Sequence, residues 1–275
     1  MGKHRKLSNL ILHIVMIILL ILLLYPLAMA VWSALKSEDT FKYSQWWPTL
    51  PLYISNLRVA FPRVIRYILN TVLVAGVGTV GVLFVSSIAA YTFARMKFPG
   101  KGLLYTLVLA LMMIPAILTL VPSYMLYKQI IGLDNMLVLI LPIITGGSVF
   151  GVFLLRAFFE GIPETVFEAA RIDGAGEFRV YAKICVPLSM PILGTLAIMQ
   201  INNVWNDYMW PMITIKSNEK FTISAGLLLN YVSAYASNYP AMFSGYLISS
   251  LPLVFLFIFA NKYYIEGLTS SAMKL

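Results

Sequence analysis

Charge is scarce in this chain. Only 11% of its residues are Asp, Glu, Lys or Arg, while 60% are hydrophobic. A soluble domain carries about 25% charged and about 45–50% apolar residues. A water-exposed fold of this composition would present large apolar patches and aggregate, so most of its surface must face something other than water. The mean hydropathy of +0.84 agrees. Cysteine is nearly missing too: the single Cys185 excludes an internal disulfide and a cysteine metal cluster. The two histidines, His4 and His13, lie near the N-terminus with no carboxylate beside them, and no metal site is expected. There is no GxxxxGK[ST] phosphate loop, so the chain is not expected to hydrolyse nucleotides itself. No internal repeat, low-complexity tail or soluble domain is evident. The short alternating strands of a β-barrel are also missing.

What is there is long apolar runs separated by short basic segments. The formal net charge is +9, but no basic stripe of the kind that binds nucleic acid is visible. The distribution fits a membrane protein with positive-inside loops instead. Lys3, Arg5 and Lys6 precede an apolar run, Leu7 to Leu35, that is too long for a signal h-region of about 7–15 residues. It reads as an uncleaved first span. A helix needs about 20 apolar residues to cross the hydrocarbon. Six segments qualify: about 10–32, within 67–94, within 102–127, and about 135–155, 187–210 and 242–261. Backbone polar groups in lipid must be satisfied internally, so these are helices. The fold class is therefore all-α, a polytopic protein with six transmembrane helices.

A cytoplasmic N-terminus places the segments near 95–101, 156–186 and 262–275 inside as well. With the N-terminal cluster they hold more than half of the basic residues, among them Arg95, Lys97, Lys101, Arg156, Arg171, Arg179, Lys183, Lys262 and Lys274. Arg58, Arg63 and Arg66 precede the second span and oppose this bias, which the first helix decides. Residues 36–66, with Trp46, Trp47 and Pro48 as interfacial anchors, and residues 216–240 are then external, solvated loops. Gly76, Gly78 and Gly81 suit helix–helix contacts, and Pro115, Pro122 and Pro142 are candidate kinks.

The most charged stretch is Glu160 to Pro187, EGIPETVFEAARIDGAGEFRVYAKICVP. Pro163 suits the first helical position, and Glu164 then complements the dipole. Gly174 and Gly176 interrupt the helix and permit a left-handed turn. A second run, Glu177 to Cys185, carries Phe178, Tyr181 and Ala182 on one side. The expectation is a helix–turn–helix along the cytoplasmic surface. Ala169 and Ala170 leave a flat face for a partner, with the charge of Glu168 nearby. Alternatively, Glu168 and Arg171 are an i,i+3 pair that merely supports its own helix.

Glu168-Ala169-Ala170, Gly174, Ile184 and Pro187 fall at the spacing of EAA, three residues, G, nine residues, I-x-L-P, with Val186 where Leu is usual. This resembles the EAA loop of ABC-importer permeases. The run AAYTFARMKFPGK (89–101), Ile162-Pro163-Glu164, Arg171 to Gly176 and Trp205-Asn206-Asp207 ahead of Pro211 resemble the carbohydrate branch, in particular the second, smaller permease of the maltose type. The ending Gly267 to Leu275 resembles that branch too, departing at Ser271, Met273 and Leu275. The resemblance runs from about Ile65 to the end.

It implies the type I ABC importer transmembrane fold: one transmembrane domain over 1–275, its core about 65–262, its first span about 10–32 and its coupling loop about 160–187. It implies a bacterial inner-membrane location with both termini cytoplasmic. It further implies a second homologous permease, two cytoplasmic ATPase subunits that hold ATP and Mg, an extracytoplasmic solute-binding protein, and a sugar of the oligosaccharide class as solute. This chain would hold no cofactor. Glu168, Ala169, Ala170, Arg171, Asp173 and Gly174 would couple to the ATPase. Asn202, Asn203, Trp205, Asn206 and Asp207 combine amides, a carboxylate and an aromatic ring that suit sugar hydroxyls and ring faces. They equally suit interhelical hydrogen bonding. Two other readings stand beside this one. One is a permease for another polar solute such as a glycerol phosphate, although no span shows an Arg pair for phosphate. The other is a secondary transporter, which usually needs intramembrane carboxylates that are scarce here.

Overall fold

A computed structural model describes the backbone of residues 2–272 and the side chains of residues 9–260. The basic cluster Lys3 to Lys6 and the tail from Gly267 lie outside the residues whose side chains are described. Among the described residues every regular element is helical. In chain order these are α1 (Gly2–Ala34), α2 (Glu38–Tyr43), α3 (Ser55–Arg95), α4 (Lys101–Met112), α5 (Ala116–Ile130), α6 (Leu137–Glu160), α7 (Glu164–Ile172), α8 (Glu177–Val180), α9 (Val186–Leu188), α10 (Met190–Asn206), α11 (Met209–Thr214), α12 (Ile223–Gly226), α13 (Val232–Ala234) and α14 (Tyr239–Ala272). Wider π turns join α8 to α9 at Tyr181–Cys185 and α12 to α13 at Leu227–Tyr231.

Among the described residues four helices are long and apolar enough to cross a membrane, and the number reaches six if each of two bent pairs is one span. The third expected span is such a pair: α4 and α5 meet at 98°. Pro115 forces the residue before it out of the helical region, so the chain turns at Met113–Pro115. The fifth is bent by 75° at Ser189, between the run Glu177–Leu188 and α10. Two loop expectations change. Arg58 and Arg63 lie inside α3, not in a loop. Residues 216–240 are largely helical, with Phe221, Thr222, Ile223, Ala225, Leu227 and Tyr231 buried. The apolar residues that recur among the Ser, Tyr and Asn of this stretch go into cores, not into water.

The chain divides into two compact units. The first comprises Met1–Arg66 with Gly226–Leu251. Here the end of α1 is closed by side chains: Asn56 donates to the carbonyls of Ala34 (3.0 Å) and Lys36 (2.7 Å), and Ser244 donates to Ala34 (3.1 Å). These satisfy carbonyls that a helix end leaves free. Ser37 caps α2 by accepting from the Thr40 amide at 3.1 Å. Phe41 stacks on Tyr239 at 5.4 Å. Apart from His13, the side chains of α1 from Leu10 to Leu24 are apolar and exposed, as a lipid-facing helix requires.

The second unit comprises Tyr67–Ala225 with Pro252–Leu275 and holds two apolar cores. One gathers Tyr91, Leu155, Phe159, Phe167, Val180 and Leu196. The other gathers Val74, Leu139, Val204, Ile215 and Phe221. Helices α3 and α6 approach closely because small residues meet: a Cβ on Gly151 would lie 2.7 Å from Ser86, and one on Gly81 would lie 2.5 Å from the Ile144 side chain. Gly76 faces open space, so of the three glycines expected at contacts it is the one that makes none.

Candidate coupling loop and polar cavity

Helix α7 ends on a Schellman motif. Gly174 is left-handed at φ +79°. Its amide donates to the Arg171 carbonyl, and the Ala175 amide donates to Ala170, both at 3.0 Å. Gly176 has φ −69° and extended ψ, and caps α8 with an ordinary backbone. Only one of the two glycines therefore makes the left-handed turn. Pro163 sits one position before the helix as its cap, not inside it.

The helix is amphipathic. Phe167 and Ala170 are buried in the core that contains Tyr91 and Phe159. Glu168, Ala169, Asp173 and Gly174 are exposed. The flat alanine face is thus split, Ala169 outward and Ala170 inward. Two large apolar side chains are also exposed in this loop, Ile172 on α7 at 86% and Phe178 at the start of α8 at 78%. Large apolar groups exposed in this way mark an interaction surface.

Arg171 does not pair with Glu168. It donates to Glu164 and to Glu177, each at 2.9 Å. Its hydrogen bonds to Glu177 and Glu164, which accept, hold the Arg171 proton more tightly than usual. The hydrogen bond from Arg171, together with the charge of Arg95, holds the Glu164 carboxyl below the usual carboxylate range. In the sequence Arg95 stands out only as an orientation charge. Its side chain is in fact 8% exposed, and it donates to Glu164 (2.5 Å) and to the carbonyls of Phe159 and Ile162. Its guanidinium lies 4.2 Å from the Phe167 ring centre. The signal that could have found it is one cation at the end of a 28-residue charge-free run, Tyr67 to Ala94.

The five residues around Asp207 do not converge. Asn203 and Asp207 line a cavity of about 390 Å³ with Ile143, Gly146, Gly147, Phe150, Gln200 and Val204. A neighbouring cavity of about 340 Å³ shares Ile143, Gly146 and Asp207. Asn202 lines a separate apolar groove with Leu253, Leu256 and Phe257. Asn206 donates back to the Asn202 carbonyl at 2.8 Å. Trp205 is buried, and its carbonyl accepts from Ser224 at 2.5 Å. Asp207 also serves the backbone, because its Oδ1 accepts from the Trp210 amide in the first turn of α11 at 3.3 Å.

A polar clasp at Asp134 was not legible in the sequence. Asp134 has φ +61°. Its carboxylate accepts from the amides of Lys216 (3.0 Å) and Ser217 (2.9 Å), the Ser217 hydroxyl (2.5 Å) and Lys220 Nζ (3.2 Å). Those bonds, the Ser217 hydroxyl foremost, hold its carboxyl well below the usual range.

The proteins described as binding-protein-dependent transport system inner membrane components match this chain over residues 82–269. The arabinooligosaccharides transport system permease protein AraQ of Bacillus subtilis (strain 168) is 34% identical over 209 residues, 76% of this chain and 73% of that one. The maltose/maltodextrin transport system permease protein MalG of Salmonella typhimurium (strain LT2) is 27% identical over 291 residues, 99% of this chain and 98% of that one. Among solved structures, a chain of a bacterial ABC transporter involved in the import of the acidic polysaccharide alginate superposes with a TM-score of 0.81 at 21% identity, covering 94% of this chain and 97% of that one. At that identity the likeness is one of fold.

Proposed function

The chain belongs to the binding-protein-dependent transport system inner membrane components, and from that premise we propose that it is the smaller permease subunit of an ATP-driven importer of oligosaccharides. As a member of that family it is a multi-pass inner-membrane transport component. The observation that carries the coupling role is the outward face of α7, with Glu168, Ala169 and Ile172 exposed, followed by the exposed Phe178 at the start of α8. Large apolar side chains exposed near a charged one suit a protein partner. In this reading the partner is one of two cytoplasmic ATPases, which hold ATP and Mg. A second permease completes the path, and a binding protein delivers the solute from outside. Glu168, Ala169, Asp173 and Gly174 shape the contact, while Ala170 and Arg171 hold the helix in place.

The sugar reading draws on relatives named for arabinooligosaccharides and maltodextrins. The cavity chemistry supports it. Asn203 and Asp207 offer an amide and a carboxylate for hydroxyl groups, and Phe150 offers a ring face. Neither cavity that Asp207 lines has a Lys or Arg in its wall among the described residues. A carboxylate without a cation repels a phosphorylated solute, which disfavours the glycerol phosphate alternative. Asn202, Trp205 and Asn206 serve packing in this reading.

The test is reconstitution in liposomes with a candidate second permease, ATPase and binding protein from the same genome. Uptake of a labelled neutral oligosaccharide should need ATP and the binding protein. Uptake driven by an ion gradient without the ATPase would favour a secondary transporter. Uptake of a phosphorylated polyol alone would overturn the sugar assignment.

A further inference from the structure

Helix α7 has nine residues. A helix of that length is marginal on its own, and a loop that carries it could yield whenever a partner pushes. The geometry shows how yielding is prevented. Glu164 uses both oxygens: Oε2 accepts from Arg95 at the end of α3, and Oε1 accepts from Arg171 on α7 itself. Arg171 passes to Glu177 Oε1 at the start of α8, and Glu177 Oε2 accepts from the Tyr91 hydroxyl at 2.7 Å. Tyr91 and Arg95 lie four residues apart on α3, so the circuit closes on the helix where it began. Arg95 also gathers the Phe159 and Ile162 carbonyls where α6 ends. Beside the circuit, the Ser87 and Tyr181 hydroxyls meet at 2.7 Å, tying α3 to the run that leads into α10.

We propose that Arg95, Glu164, Arg171, Glu177 and Tyr91 form a closed linkage that passes displacement of α7 to the ends of α3, α6 and α8, so that the loop transmits motion instead of absorbing it. These are positioning residues. None is Glu168, Ala169 or Asp173; Glu164 and Glu177 are themselves exposed, so retention of the ATPase is read beside transport to separate a cut linkage from a lost contact. Isolated exposed ion pairs contribute little. Here each carboxylate bridges two donors, and one of the cations, Arg95, is buried, so the links constrain one another. The inference rests on the reading of α7 as the surface that meets the ATPase.

The experiment uses the reconstituted complex with Arg171→Gln, Glu177→Gln, the double variant, and the milder Tyr91→Phe. Three quantities are read: ATPase retained on purification, ATP hydrolysed, and solute imported per ATP. With the linkage in force, the ATPase stays bound and hydrolysis continues. Solute per ATP then falls by about two- to thirtyfold in each single Gln variant. The double variant falls no further than the worse single, because one circuit is cut twice. Tyr91→Phe falls less, in the same direction. Solute per ATP at the wild-type value in both single variants, even with lowered thermal stability, would reduce the circuit to a brace and overturn the proposal. Release of the ATPase by either would overturn it too, since the linkage would then belong to the docking face. Absence of ATP-driven uptake in the wild-type complex would instead refute the importer reading itself.

Discussion

Asp134 carries four polar contacts from residues more than 80 positions away. A group whose folded-state pKa is depressed adds stability that is complete above its unfolded value, near 3.9. That stability is lost as pH falls through the folded value, which lies lower still. Asp134→Asn should therefore lower the Tm of the detergent-purified chain by a constant amount between about pH 5 and 8. The gap to wild type should narrow only below about pH 4. Thermal scans against pH check this, and a gap that closes near neutrality would contradict it. Glu168 is the opposite case. It is exposed and, among the described residues, joins no ion pair. Glu168→Lys should leave the Tm of the isolated chain unchanged and reduce co-purification of the ATPase, since like charges at an interface cost several kcal/mol. An unaltered complex would remove Glu168 from the contact. Arg171 shows why such assignments escape a sequence. Its partners are 7 and 6 positions away: Glu164 lies two turns back on the same face of α7, but Glu177 is at no helix spacing. Glu177 reaches Arg171 only because the turn at Gly174 folds α8 back toward α7.

At the scale of elements, that turn gives a paired test. Gly174 sits at φ +79° with open space where a Cβ would go, and Gly176 sits at φ −69°, also with open space. Space is therefore equal and backbone conformation differs. Gly174→Ala should cost about 1–2 kcal/mol, and Gly174→Val more, because β-branched residues resist this region most. Gly176→Ala should be neutral or slightly stabilising. The measurement is the Tm of each variant, and equal losses at both positions would mean that the turn is not what holds the loop. The positions of the apolar segments were legible because length and composition fix them. Of the bends, the one at Pro115 was legible as a candidate kink but not in its size of 98°, and the 75° bend at Ser189 was not legible, because hydropathy reports how much apolar chain there is, not its direction. In residues 216–240 the apolar side chains are too few and too scattered for a window to register, yet they enter cores.

Orientation belongs to the whole molecule, and it turns on which basic residues are counted. Arg58, Arg63 and Arg66 stand against the N-terminal cluster if they flank a span. Helix α3 has 41 residues, which at 1.5 Å per residue is roughly 60 Å, about twice the hydrocarbon thickness. Its charge-free part, Tyr67 to Ala94, suffices to cross. The three arginines then precede the crossing segment in the chain, and Arg95, Lys97 and Lys101 follow it. A cytoplasmic N-terminus places those three arginines and α2 outside, and the 96–100 turn inside. Single cysteines at Tyr43, which is 92% exposed, and at the exposed Pro99 report on this in a Cys185→Ala background. An impermeant maleimide should label Tyr43→Cys in intact cells, and Pro99→Cys only after permeabilisation. The inverse pattern would put Glu168 and the outward face of α7 on the wrong side of the membrane for any ATPase, and the coupling assignment would fall with the topology.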